Sequence, residues 1–292
     1  MNFSYQSLYR SLTPVYGQDE ARAVVRWLLE VAFGMTLSDI LGGALERMDA
    51  SEKERLQQMM KRLEKGEPVQ YVAGRADFGP RQFFVAPGVL IPRPETYELC
   101  RWIADDQETK HKNTTSTEQL TVPTTILDIG TGSGCIACTL AADISGSKLT
   151  AWDISPEALD IARRNAEMLG VDIHFEQRDM LQQPYNEFGL WDVVVSNPPY
   201  ICDSEAEEMD DWVLDYEPEE ALFVPDDDPT LFYLQISNYA QSALKEGGRL
   251  YFEINPLYDE AIEDILLGLG FDDIIVRNDQ YGRSRFMRAT WH

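Results

Sequence analysis

The sequence predicts an α/β chain in which a small helical bundle precedes a doubly wound, mostly parallel sheet. Three observations carry this. The apolar strand pattern Thr125-Ile-Leu-Asp-Ile129 runs directly into Gly130-x-Gly132-x-Gly134 and then into residues at helical spacing, the opening strand, turn and helix of such a sheet. A second apolar run, Val193-Val-Val195, is continuous and β-branched, as in a strand buried on both faces, and it stops abruptly at Asn197-Pro198-Pro199-Tyr200. Upstream, residues 16–63 repeat their apolar positions at helical spacing.

Taken in order, Ala21, Val24, Val25, Leu28, Leu29, Ala32 and Phe33 line one face of a helix over 16–33. Residues 37–48 read as helix, weakened at Gly42-Gly43. Ser51 with Glu54 forms a capping box for the next helix, Leu56, Met59, Met60 and Leu63 form its stripe, and Gly66 with Pro68 forms its stop. This bundle, residues 1–70, carries no polar residues arranged for chemistry, so it reads either as a partner-docking domain or as a structural cap. In residues 71–92, Phe78, Phe83, Phe84 and Val85 flank Gly79-Pro80 and predict a β-hairpin linker to a second domain over 93–292. Pro94 suits the first turn of a helix over 95–104, and the neighbouring prolines hold Arg93 and Glu95 stiffly. Residues 105–123 are polar, Thr-rich and non-periodic, which predicts a surface loop.

The glycine turn and the helix over 135–142 follow. A strand over 148–152 ends at Asp153, a helix over 156–169 starts with Pro156 and is closed by Gly170, and a strand over 171–176 leads to Asp179-Met180. The central Val-rich strand comes next. Residues 203–228 are strongly acidic with Trp212, Tyr216 and Phe223 interspersed, which fits either an insertion covering a substrate or a solvated loop with a few anchors. A helix over 229–245 ends at Gly247-Gly248, followed by a strand over 249–254 and a helix over 257–269. Strands over 271–276 and 284–290 have no helix between them and so predict an antiparallel pair at one sheet edge. That makes seven strands in the sheet.

Composition narrows the function. With 292 residues and 44% hydrophobic content the chain is an ordinary globular protein of two domains, and no apolar run is long enough to span a bilayer. The amino terminus lacks a signal pattern, which predicts a cytoplasmic protein. Residues 1–75 hold ten basic and ten acidic side chains, so the whole net charge of −25 falls on residues 76–292. A domain that acidic repels a phosphate backbone and argues against direct nucleic-acid binding, although acidity also serves solubility. Three histidines and four cysteines offer little for a metal site, and none is predicted. Cys135 and Cys138 lie at helical spacing, as buried thiols commonly do, rather than in a redox or zinc pair.

The chemistry belongs at the strand ends. Two prolines remove two backbone donors, so the Asn197-Pro198-Pro199-Tyr200 turn offers carbonyls, the Asn197 oxygen and the flat Tyr200 ring. A planar NH2 group, from a carboxamide or a nucleobase, suits it; a phosphate or hydride donor does not. The glycine turn lacks the third glycine of a dinucleotide fingerprint, which disfavours a nicotinamide dehydrogenase. Asp153 is placed to accept both hydroxyls of an adenosine ribose. Asp179 is placed to reach an adenine amino group, unless it is simply a solvated carboxylate, and Met180 is placed to pack on the ring.

Together, Ile91-Pro-Arg-Pro-Glu-Thr96, Leu127-Asp-Ile-Gly-Thr-Gly-Ser-Gly134, Asp153-Ile-Ser-Pro-Glu-Ala-Leu159, Ala162-Arg-Arg-Asn-Ala166 and Ser196-Asn-Pro-Pro-Tyr-Ile201 resemble the peptide chain release factor glutamine methyltransferases. The likeness runs from about residue 68 to the C-terminus, and the helical segment matches in size and position. It implies a Rossmann-like methyltransferase sheet and methylation of N5 of the glutamine in the Gly-Gly-Gln loop of class 1 release factors, a step of translation termination, with S-adenosylmethionine as donor. By position it assigns Asp128, Gly130, Thr131, Gly132, Ser133, Gly134, Asp153, Ile154, Asp179, Met180 and Asn197 to the cofactor, and Asn197, Pro198, Pro199 and Tyr200 to the reacting amide. The partner is then a release factor, with no direct nucleic acid, no membrane and a monomeric enzyme. A nucleic-acid adenine N6-methyltransferase and a non-catalytic S-adenosylmethionine-binding adaptor are the alternatives. Tyr97 stands where the family usually has Glu, Asn255 and Tyr258 replace Gly and Gln, and Val224-Pro225-Asp226 replaces a Gly-rich turn.

Overall fold

The computed structural model describes residues 4–113, 122–182 and 186–292. Six helices open the chain: α1 Tyr5–Tyr16, α2 Gln18–Phe33, α3 Leu37–Leu41, α4 Ala44–Arg47, α5 Ala50–Leu63 and α6 Val69–Ala73. Sequence reasoning missed α1, in which Leu8 and Leu12 are buried one turn apart and Ser4 and Ser7 form the capping box. Gly42 and Gly43 divide the helix expected over 37–48 into two, with Gly43 at φ +78°. The α5 capping box lies two residues before the expected one. Asp49 caps as well as a serine, accepting the Glu52 N–H at 2.8 Å while Glu52 accepts the Asp49 N–H at 3.0 Å.

Strands β1 Ala76–Phe78 and β2 Arg81–Phe83 form a hairpin, and α7 Pro94–Asn113 follows. Much of the loop expected over 105–123 is therefore helix, and its residues 114–121 lie outside the described ones. Tertiary contacts override the polar sequence there. Asp106 accepts from the Tyr251 hydroxyl and the Arg288 guanidinium, both at 2.8 Å, and Gln107 is buried.

The remaining elements are β3 Thr125–Ile129, α8 Cys135–Asp143, β4 Lys148–Asp153, α9 Pro156–Leu169, β5 Ile173–Gln177, β6 Trp191–Ser196, β7 Ile201–Cys202, α10 Asp211–Tyr216, β8 Phe223–Val224, α11 Leu231–Ala243, β9 Leu244–Glu253, α12 Asp259–Gly268, β10 Asp272–Asn278 and β11 Ser284–Thr290. The Gly247-Gly248 turn expected after a longer helix lies inside β9. The seven-stranded sheet has the order β10-β11-β9-β6-β3-β4-β5. Its β10–β11 edge pairs antiparallel as expected, β11 also runs antiparallel to β9, and the other neighbours are parallel.

Side chains alternate across this sheet. Val194, Leu250 and Phe252 face a cluster with Tyr233, Ile236 and Ala240 of α11, while Val193, Val195 and Tyr251 face one with Leu99, Trp102 and Ile103 of α7. Both faces are covered, which is why the parallel strands read as continuous apolar runs. From β3 the order proceeds outward to β4 and β5 on one side and returns to β6 on the other, so a crevice opens at the carboxyl ends of β3, β4 and β6.

By contacts the chain divides into two compact units, one of Met1–Ala76, Val85–Pro87 and Asp210–Tyr216, the other of Asp77–Phe84, Gly88–Met209 and Glu217–His292. The first has its own core around Leu12, Val25, Leu28, Leu56 and Met60. Within it, the Tyr216 hydroxyl donates to the Lys65 carbonyl at 2.9 Å. The contacts thus count the hairpin with the sheet, and part of the acidic segment with the bundle.

Candidate active site

The crevice is a cavity of about 560 Å³, within the range of small-molecule sites, and all its walls come from the second unit. Gly130, Thr131, Gly132, Ser133, Asp153, Ile154, Asp179, Met180, Asn197, Pro198 and Pro199 line it. Asp128, Gly134 and Tyr200 do not. Each of those three stands one layer behind the wall, for a different physical reason.

Asp128 is fully buried at the end of β3. Its Oδ2 accepts the Thr131 hydroxyl at 2.6 Å and the Ala137 N–H at 3.2 Å, tying the glycine turn to α8. Burial raises its carboxyl to about 7, and Oδ1 has no hydrogen-bond partner among the described residues. Gly134 closes the turn at φ +77°, where a Cβ would lie 3.0 Å from the Ala162 Cβ, so its glycine serves helix packing. Tyr200 directs its hydroxyl to Glu253 Oε1 at 3.2 Å, and burial raises the phenol.

The turn itself is held through the backbone. The Gly130 and Thr131 N–H groups both donate to the Trp152 carbonyl at 2.9 Å, and the Gly132 N–H donates to Asp153 Oδ2 at 2.8 Å. A Cβ on Gly130 or Gly132 would meet nothing within 4 Å and would project from a positive φ. These two glycines therefore leave a cradle open. Asp153, raised by its burial, accepts the Ser155 N–H through Oδ1 at 2.9 Å, so each oxygen keeps acceptor capacity. Beside it Ile154 is an apolar side chain left 53% exposed on the wall. Asp179 accepts from the Leu181 N–H at 2.9 Å and the Gln182 amide at 2.6 Å, and Met180 is buried.

This donor set fits S-adenosylmethionine, the cofactor that the sequence resemblance implies. It provides a glycine cradle, a carboxylate for ribose hydroxyls and an exposed aliphatic face for a flat ring. Asp153, Glu157, Asp179 and Glu220 outnumber Arg93 and Arg178 on the walls, which suits a sulfonium cation.

At the end of β6, Asn197 Nδ2 donates to Thr96 Oγ1 at 3.3 Å, and Thr96 Oγ1 donates to Glu253 Oε2 at 2.6 Å. Sequence reasoning quoted Thr96 only within a motif, left Glu253 inside a strand, and missed the place of both here. A signal existed, since Glu253 interrupts the apolar run Leu250-Tyr-Phe-Glu-Ile254. Glu217 was missed likewise. It is buried, accepts from Arg93 Nη2 at 2.6 Å and the Ile91 N–H at 3.1 Å, and fixes the Pro-rich segment that lines the cavity. The departures at 255 and 258 also have roles. Asn255 Nδ2 donates to the Tyr200 carbonyl at 3.0 Å, and the Tyr258 hydroxyl lies 3.2 Å from Cys202 Sγ. Of the acidic 203–228 segment, Pro218, Glu220, Ala221 and Phe223 line the cavity. Cys135 and Cys138 are buried free thiols that burial makes harder to ionise, and no group of three or more His, Cys, Asp or Glu among the described residues could hold a metal.

The chain matches the Methyltransferase small domain model over residues 115–213 and the PrmC N-terminal domain model over residues 10–74. It is 39% identical over 290 residues to a release factor glutamine methyltransferase of Bacteroides thetaiotaomicron, covering 99% of this chain and all of that protein. A release factor glutamine methyltransferase of Flavobacterium psychrophilum is 34% identical over 283 residues, 97% of this chain and 96% of that one. Among solved structures, a ribosomal protein L11 methylase from Lactobacillus delbrueckii subsp. bulgaricus is similar with a TM-score of 0.46 and 21% identity, over 71% of this chain and 84% of that chain. Such identity along the whole length, together with the sheet order and the crevice at its strand ends, places the chain in the release factor glutamine methyltransferase family.

Proposed function

We propose that this protein transfers a methyl group from S-adenosylmethionine to the side-chain amide nitrogen of the glutamine in the Gly-Gly-Gln loop of class 1 release factors. One observation carries the reading. Asn197 lines the cavity beside two donor-free prolines and commits its Nδ2 to Thr96, which leaves its Oδ1, with no partner among the described residues, free to accept.

Gly130 to Ser133, Asp153, Ile154, Asp179 and Met180 would hold the cofactor, with Asp128 and Gly134 shaping the turn from behind. When bound, the cofactor supplies an electrophilic methyl group on a sulfonium sulfur. The chain's own residues then act on the substrate amide, a poor nucleophile because its lone pair is delocalised into the carbonyl. Asn197 Oδ1 and the Pro198 carbonyl accept the two amide N–H bonds. Those contacts fix the nitrogen's orientation and strengthen as positive charge develops on it. Once the N–CH3 bond has replaced the S–CH3 bond, one of the two amide protons is released, which leaves a neutral N-methyl amide. Tyr200 supports the turn through Glu253.

The docking role belongs, in this reading, to the helical domain of residues 1–70, joined to the catalytic domain of residues 93–292 by the 71–92 segment. The enzyme acts as a cytoplasmic monomer without nucleic acid or membrane. Among the described residues no helix is long and apolar enough to cross a membrane, and the acidic second unit is a poor match for a phosphate backbone. The test is incubation with labelled S-adenosylmethionine and purified release factor, followed by mass spectrometry. Label on the Gly-Gly-Gln glutamine is expected; label only on nucleic acid, or none, would overturn the reading.

A further inference from the structure

We infer that Thr96 and Glu253 are positioning residues that fix which way round the Asn197 side-chain amide stands, and so make this wall of the cavity an acceptor. The inference rests on the reading of the Asn197 turn as the seat of the substrate amide.

An asparagine amide is nearly symmetric in shape, and reversing it would turn an acceptor site into a donor site that rejects an incoming NH2. Something must set its direction. The chain of hydrogen bonds behind the wall does so from its far end. Arg285 Nη1 lies 3.4 Å from the Tyr200 hydroxyl and can only donate, so the Tyr200 proton is directed to Glu253 Oε1 at 3.2 Å. Glu253 is 2% exposed, and while its carboxyl is ionised it can only accept. Thr96 must therefore give its single proton to Glu253 Oε2, at 2.6 Å, and keeps only lone pairs for Asn197. Asn197 meets those lone pairs with Nδ2, and Oδ1 stays on the wall. Protonating Glu253 removes this constraint. A neutral carboxyl can donate to Thr96, which can then donate to Asn197 and reverse it.

The groups facing Glu253 among the described residues include Glu95, Thr96 and the Cys100 thiol from α7, the Cys135 thiol from α8, Tyr200 from the turn, Tyr233 from α11, whose hydroxyl donates to the Glu253 carbonyl at 3.3 Å, and Arg285 from β11. Burial raises the Glu253 carboxyl, so the acceptor wall is lost as the pH falls and Glu253 takes up its proton.

The experiment uses the full-length enzyme, purified release factor and S-adenosylmethionine. Thr96→Val keeps the shape but removes the hydroxyl, and should lower kcat about tenfold or more while cofactor affinity by calorimetry stays within about threefold. Thr96→Ser restores the hydroxyl and should recover most of that loss. In an Asn197→Ala background, Thr96→Val should cost nothing further, because it acts through Asn197. Glu253→Gln should erase the acid limb of the kcat profile, and Glu95→Gln should keep it. Wild-type kcat in Thr96→Val, or losses that add in full with Asn197→Ala, would overturn the inference while leaving the proposed reaction standing. Failure of the wild-type protein to methylate the release factor would instead defeat the reaction. The orientation can still be read without turnover, as slowed exchange of an Asn197 side-chain amide proton in wild type and Thr96→Ser that is lost in Thr96→Val.

Discussion

Two sharp turns end neighbouring parallel strands of this sheet, and they are held in opposite ways. The glycine turn after β3 is held from close by, with positive φ at Gly130, Gly132 and Gly134, N–H bonds to the Trp152 carbonyl and the Asp153 carboxylate at the end of the adjoining strand, and the Thr131 hydroxyl on Asp128 three residues before it. The Asn197 turn after β6 is fixed by side chains that arrive from elsewhere, namely Thr96 from α7, Glu253 from β9 and Asn255 just beyond it. A turn that must admit a ligand closely is built from residues with nothing to get in the way. A turn that must present one polarity is built from prolines and braced from a distance.

This difference can be broken at either end. The largest effect is expected from Asn197→Ala, which should lower kcat by about two orders of magnitude or more while cofactor affinity stays within a few-fold. A mutant with wild-type turnover would remove Asn197 from the reaction. Next, Gly134→Ala puts a Cβ 3.0 Å from that of Ala162 at a φ of +77°. It should destabilise the fold by about 2 kcal/mol, read from urea midpoints, with a matching fall in cofactor-free melting temperature. A neutral result would mean that α8 and α9 can part there.

The buried Asp128 sharpens the comparison through pH. Its folded-state carboxyl lies at about 7 against an ordinary 3.8, so between those values the native state binds a proton that the unfolded chain has released. Stability conferred by the protonated group is thus fully present near pH 4 and lost as the pH rises toward 7. Subtracting the urea-denaturation profile of Asp128→Asn from that of wild type should isolate this slope; parallel profiles would contradict it. The smallest effect is expected from Asn255→Gly, which restores the usual family residue and removes the hydrogen bond to the Tyr200 carbonyl. About 1 kcal/mol of stability should go, with kcat changed by no more than a few-fold.

The same contrast explains what could be read from the sequence. Residues 125–134 declare their strand and turn within ten positions, because apolar run, glycines and helix spacing are adjacent in the chain. Asn197-Pro-Pro-Tyr200 could likewise be recognised as donor-poor from proline chemistry alone. The bracing of that turn could not, since Thr96 and Asn197 are 101 positions apart and Thr96 and Glu253 are 157 apart. Helix α7 ran past its expected end for a related reason: Asp106 is tied to β9 and β11, and no local pattern in 105–113 announces those partners. The α5 capping box was displaced because Asp49 and Ser51 both head a plausible box, and only the observed hydrogen bonds choose between them.

The pairing of two acceptors with no donor bears on how the reaction ends. On the proposed reading, an unmodified glutamine satisfies Asn197 Oδ1 and the Pro198 carbonyl with two N–H bonds, whereas the methylated amide retains one. One acceptor is then unpaired, so the product is held more weakly than the substrate and a second methyl is not added. A glutamate in the same place, with no amide proton to give, would face two oxygens with a carboxylate and be turned away.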